Sequence, residues 1–132
     1  MELEIFFEEK GKVNARLGNR VIPTDQPVSG GGDDSAPAPF DLFLASIGTC
    51  AGIYLKRFCD QRSIPTDQVR IIQHHHYNRE ERRIDRVELE AILPDDFPRK
   101  YLKAAIHSMD LCAVKKHLNN PPSFKTFTNL DE

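Results

Sequence analysis

Residues 36–59 read APAPFDLFLASIGTCAGIYLKRFC, the longest apolar segment of the chain. Pro37 and Pro39 suit the first turn of a helix and would break its interior. From Phe40 onward the residues are helix formers or small, and no proline interrupts them before Lys56 and Arg57. The segment predicts a helix from about Pro39 to Gln61, roughly 30 Å long at 1.5 Å per residue. Its apolar side chains, among them Phe40, Leu44, Ile47, Ile53, Leu55 and Phe58, are spread around the helix instead of forming one stripe. A helix that is apolar all round is enclosed on several sides. A membrane span needs about 20 apolar residues. This run is shorter and carries Asp41, Ser46 and Thr49, so cover by protein is the expectation and no membrane is implied.

Upstream, Leu3, Ile5 and Phe7 alternate with Glu2, Glu4 and Glu8, the period of a half-exposed strand over residues 2–8. Lys10-Gly11-Lys12 reads as a turn. Val13, Ala15 and Leu17 give a second strand, and residues 20–22 a short third one. Residues 24–38 are rich in Gly, Pro, Ser and Asp and have no period, which marks a connector into the helix. The run Gly30-Gly31-Gly32 could approach a ligand closely, but it lacks the lysine of a phosphate-binding loop. Downstream of the helix, residues 69–77 and 84–93 read as a long hairpin with a charged turn between them. Asp96 is the expected cap of a helix carrying Leu102, Ala105, Ile106 and Met109 at helical spacing. Asp110 is the expected cap of a shorter helix over residues 111–118, and residues 123–130 read as a last strand. The sum is an α+β domain on antiparallel sheet.

A length of 132 residues fits one domain, residues 1–132. One enclosed helix strains a core of that size, and a second subunit could supply the missing cover. Eighteen basic against twenty acidic residues leave a net charge of −2, with no global signal for nucleic acid. The acidic, alternating start MELEIFF is unlike a signal peptide. With an odd count of three cysteines, that points to a reducing compartment, and a cytoplasmic location is expected.

Cys50 lies at the centre of the apolar helix, and Cys112 lies near the start of the short helical piece, where backbone N–H groups favour a thiolate. Cys59, nine residues after Cys50, falls on the opposite face at about 100° per residue. Cys50 and Cys112 are on separate elements and are free to meet; ordinary buried thiols are the alternative. On a strand His74 and His76 share a face and His75 points away. No carboxylate or cysteine partner is evident in the spacing, so surface or dimer-facing histidines are the expectation over a metal site. No Gly-x-Ser-x-Gly, dinucleotide fingerprint or aromatic-basic stripe is present.

Two stretches resemble the osmotically inducible protein C and organic hydroperoxide resistance (OsmC/Ohr) superfamily. One runs from Gly31 through Asp33-Asp34-Ser35-Ala36-Pro37-Ala38-Pro39 to Cys50. The other is Leu111-Cys112-Ala113-Val114, followed by Lys115-Lys116-His117-Leu118. The resemblance implies an OsmC-like fold, with antiparallel sheets wrapped around a long buried central helix in an intertwined homodimer. It also implies a cysteine-based peroxidase for small hydrophobic peroxides. Cys50 would be the peroxidatic and Cys112 the resolving residue, with a dithiol reductant, no cofactor and no metal. The family's efficient peroxidases carry a glutamate ten residues before the first cysteine, paired with an arginine. That position is Phe40 here, and Asp41 beside it is offset by about 100°. Arg16 and Arg20 are the candidates for the arginine. With no cation placed beside it, a buried Cys50 is expected to have a raised pKa. The alternative from a different class is a dimeric protein that binds a small hydrophobic ligand with inert thiols.

Overall fold

A computed structural model describes residues 1–131. Its contacts divide the chain into two compact units, Met1–Ser46 and the remainder from Ile47, with one helix running through the boundary.

The first unit is a three-stranded antiparallel meander: β1 (Glu4–Phe7), β2 (Val13–Leu17) and β3 (Arg20–Ile22) in that order. Ile5 pairs with Ala15, and Ala15 with Ile22. Alternation produced these strands, yet the apolar side chains of Ile5 and Phe7 remain exposed within this chain.

The connector that follows is a built loop, and the glycines serve its own backbone. Asp25 is fully buried. Its carboxylate accepts hydrogen bonds from the backbone N–H of Gln26 (2.7 Å), Asp33 (3.3 Å) and Ser35 (3.0 Å), and from the Ser35 hydroxyl. A Cβ on Gly32 would lie 2.1 Å from the Gln26 carbonyl oxygen, so only glycine lets the loop close here. Lys10 and Lys12 fasten the loop to the β1–β2 turn through Asp33 at 2.6 and 2.8 Å.

Helix α1 spans Pro39–Asp60, one residue short of the expected end. Asp41 closes its first turn by accepting the Ala38 N–H at 3.1 Å. By length and composition alone α1 would be able to cross a membrane. Its buried face from Ile47 onward instead forms the core of the second unit: Ala51, Leu55, Phe58 and Cys59 pack with Ile64, Phe97, Ala105 and Met109. Strands β4 (Arg70–Asn78) and β5 (Arg83–Ile92) form an antiparallel hairpin with a bulge at His76–Tyr77. Ile71, Leu89 and Ala91 pack from it onto that core. At Gly48 the Gln73 side chain of the hairpin reaches the helix: a Cβ there would lie 2.4 Å from its oxygen and displace it. Helices α2 (Leu102–Met109) and α3 (Ala113–Asn119) complete the unit.

Three local expectations are corrected. Asp96 caps no helix: Phe97 turns back to Pro94, and α2 begins after a single 3₁₀ turn at Arg99–Tyr101 with no side-chain cap. Asp110 ends α2 instead of starting α3, because its N–H still bonds the His107 carbonyl. Residues 123–130 form no strand, since no strand of the described chain lies beside them to complete a ladder.

Candidate active site

The site is assembled from the middle of α1 and the start of α3, both in the second unit. Cys50 is on α1 and only partly buried, and Cys112 is fully buried. Cys112 is the N-cap of α3. Its backbone is extended (φ −65°, ψ 144°), and its sulfur accepts the Lys115 N–H at 3.3 Å. This geometry turns the next two N–H groups, those of Ala113 and Val114, outward from the helix end, where no helical carbonyl can take them. Both act on the Cys50 thiol and lower its pKa.

The electrostatic result reverses the expectation for Cys50. Its pKa is lowered, chiefly by the Val114 N–H. The N–H of Ala113, the Cys112 side chain and the positive charge of Arg57 add to this, against the opposing effect of burial. The cation that acts on Cys50 is Arg57, not the expected Arg16 or Arg20, and the larger contribution comes from backbone donors, which leave no mark of residue type. Cys59 behaves oppositely. Burial first, and then the Asp60 charge, pushes its thiol up, and it is part of the apolar core. The structure therefore brings Cys50 and Cys112 together and makes the third cysteine a packing residue. All three are free thiols.

The other residues singled out by the sequence are engaged elsewhere. Asp41 caps α1 and is nine residues from Cys50, half a turn out of phase at about 100° per residue. Arg16 donates to Glu4 at 2.5 Å and covers the Phe6 ring at 4.4 Å. Arg20 lies on the exposed third strand. His74 and His76 do share a face, and there they meet carboxylates that sequence spacing hid. His74 contacts Glu90 at 3.2 Å and His76 contacts Glu88, both from β5. Among the described residues no group of three side chains is placed to hold a metal ion. A hollow of about 580 Å³ lined by Arg62, Asp67, Asp96 and Tyr101 includes neither cysteine of the pair.

The family model for OsmC-like proteins matches residues 31–127, which takes in both cysteine-bearing stretches. The chain belongs to the OsmC-like family. Solved structures share the fold. An osmotic stress induced and detoxification response protein from Psychrobacter arcticus 273-4 is 21% identical with a TM-score of 0.71, over 86% of this chain and 85% of that one. An OsmC-like protein from Mycoplasma pneumoniae is 12% identical with a TM-score of 0.69, over 91% and 87%. An organic hydroperoxide resistance protein OsmC from Legionella pneumophila is 15% identical with a TM-score of 0.58, over 89% and 87%. At these identities the likeness establishes the α+β OsmC-like fold. No curated protein sequence matches the chain.

Proposed function

We propose that this OsmC-like protein is a thiol-dependent peroxidase that reduces organic hydroperoxides in oxidative-stress defence. One feature carries the reading: the start of α3 stands beside Cys50, where the N–H groups of Val114 and Ala113 and the Cys112 side chain lower its pKa. A thiolate is the nucleophile that peroxide reduction requires. The Cys50 thiolate attacks the terminal peroxide oxygen. The oxygen–oxygen bond breaks, the organic fragment leaves as an alkoxide and takes a proton, and Cys50 becomes a sulfenic acid. The Cys112 thiolate then attacks the Cys50 sulfur and expels hydroxide, which is protonated to water, leaving a Cys50–Cys112 disulfide. An external dithiol restores both thiols by exchange and becomes a disulfide itself. The same N–H groups that favour the thiolate hold its charge in place until attack. The apolar neighbours Ile47 and Ile53, one turn away on α1, favour an organic substrate.

The proposal includes a homodimer in a reducing, cytoplasmic setting. Ile5, Phe7, Phe40, Phe43, Phe124 and Phe127 are all exposed in the single chain and present apolar surface. A second copy would cover it. Sedimentation equilibrium tests the assembly, and a monomer at micromolar concentration refutes it.

The decisive experiment is consumption of cumene hydroperoxide with a dithiol present. Cys50→Ser should abolish it with the fold retained. Cys112→Ser, assayed with no thiol present, should consume about one equivalent and then stop, with a sulfenic acid that dimedone traps at Cys50. Consumption by Cys50→Ser at the wild-type rate would end the reading.

A further inference from the structure

The OsmC-like pattern offers Phe40 where a carboxylate would stand, and Arg16 is already tied to Glu4. The face of α1 that carries Cys50 supplies a charge of its own. Tyr54 is four residues beyond Cys50, and Arg57 three beyond Tyr54. Seven residues are close to two full turns, so all three side chains lie in one row. Side chains on a helix lean toward its N-terminus. Accordingly the Arg57 guanidinium lies over the Tyr54 ring at 5.9 Å, on the Cys50 side of its own Cα. The neighbouring Lys56 is held by Asp60 at 2.7 Å, whereas Arg57 has no carboxylate at ion-pair distance among the described residues. From α3 the groups near Cys50 are Cys112 and the N–H groups of Ala113 and Val114. Of the basic side chains on α3, Lys115 is paired with Asp110 at 2.9 Å, and Lys116 and His117 lie in its last turn.

We propose that Arg57, held over Tyr54, is the electrostatic partner of Cys50 in this chain, a positioning residue that favours the reactive thiolate from two turns along the same helix. Its charge acts on Cys50 in that direction. The arrangement would replace a carboxylate–arginine pair with a single cation beside an aromatic ring. Arg57 is exposed, and a cation–π contact with Tyr54 restricts where its long side chain sits. The inference rests on Cys50 as the reacting thiol, and its test is independent of peroxide turnover.

The test is the rate of Cys50 alkylation by iodoacetamide against pH, read cysteine by cysteine by mass spectrometry. Arg57→Met should slow it about threefold at neutral pH in low salt, the effect expected for one charge acting across solvent. Arg57→Lys should restore most of the rate. In about 1 M salt, where the Debye length is about 3 Å, Arg57→Met and the natural protein should converge. A merely structural role would survive that salt and would not be rescued by lysine. Arg57→Gln serves as a second neutral variant should the methionine perturb folding. Equal rates for the neutral variants and the natural protein in low salt, with unchanged circular dichroism, overturn the proposal. Retained peroxide consumption in Cys50→Ser would instead defeat the peroxidase reading and leave the alkylation result intact.

Discussion

Ala113→Pro isolates the contribution of the backbone to Cys50. Ala113 is the first residue of α3, where proline is favoured because its absent N–H has no helical partner. The preceding residue, Cys112, is already extended at ψ 144°, the conformation that a following proline demands. No helical hydrogen bond is lost, and the Lys115 N–H still caps onto Cys112. What disappears is one donor to the Cys50 sulfur. A typical hydrogen bond contributes about 1 kcal/mol net, and a partly exposed sulfur acceptor gives no reason to take more. That corresponds to about a fivefold slower alkylation of Cys50 at neutral pH, since about 1.4 kcal/mol is tenfold. The assay is iodoacetamide modification resolved by mass spectrometry, alongside a thermal melt. The melt should be unchanged or slightly higher, because proline reduces the freedom of the unfolded chain. An unaltered Cys50 rate in a normally melting variant would refute the assignment of the N–H groups as the source of its acidity.

Three further outcomes follow from the same geometry. Cys59 should resist alkylation in the folded protein at a pH where Cys50 reacts, because burial and Asp60 raise its pKa; comparable rates in one digest would contradict this. Leu55→Ala should lower stability in urea by about 2–5 kcal/mol, the range for emptying a packed site, since Leu55 is only 2% exposed. Asp25 has a folded pKa well below 3.8, above all because of the Ser35 hydroxyl and the Ser35 N–H. The folded state therefore prefers its carboxylate, and the stabilisation is present above the unfolded value and lost as pH falls toward the folded one. Asp25→Asn should accordingly melt below the natural protein at pH 7, and the gap should shrink below about pH 4. A gap independent of pH would count against that account.

Much of the fold was legible because hydrophobic period and punctuation act locally. Pro39 and the unbroken run to Phe58 bounded α1 to within a residue; alternation found β1, β2 and β5, turn signals bounded β3, and a β-rich run marked β4. The failures share a cause. Asp96 has the right residue type for a cap, but its chain turns through Pro94 and Pro98 before any helix starts. Residues 123–130 space Phe124, Phe127 and Leu130 three apart, and a strand requires a neighbour that the described residues do not provide. Glu88 and Glu90 reach the histidines through cross-strand register, which linear spacing does not display. At the site, Cys50 and Cys112 were visible as residue types. The N–H groups of Ala113 and Val114 were not, because every residue but proline carries one.

The sulfur of Cys112 does two jobs that cannot be held at once. While reduced it terminates α3, a helix of only seven residues, by accepting the Lys115 amide. A covalent bond to Cys50 would draw that sulfur off, and losing a cap weakens a helix by about 0.5–2 kcal/mol. The redox state of the pair would thus be written into the fraying of one short helix, where faster hydrogen exchange at Lys115 would betray oxidation.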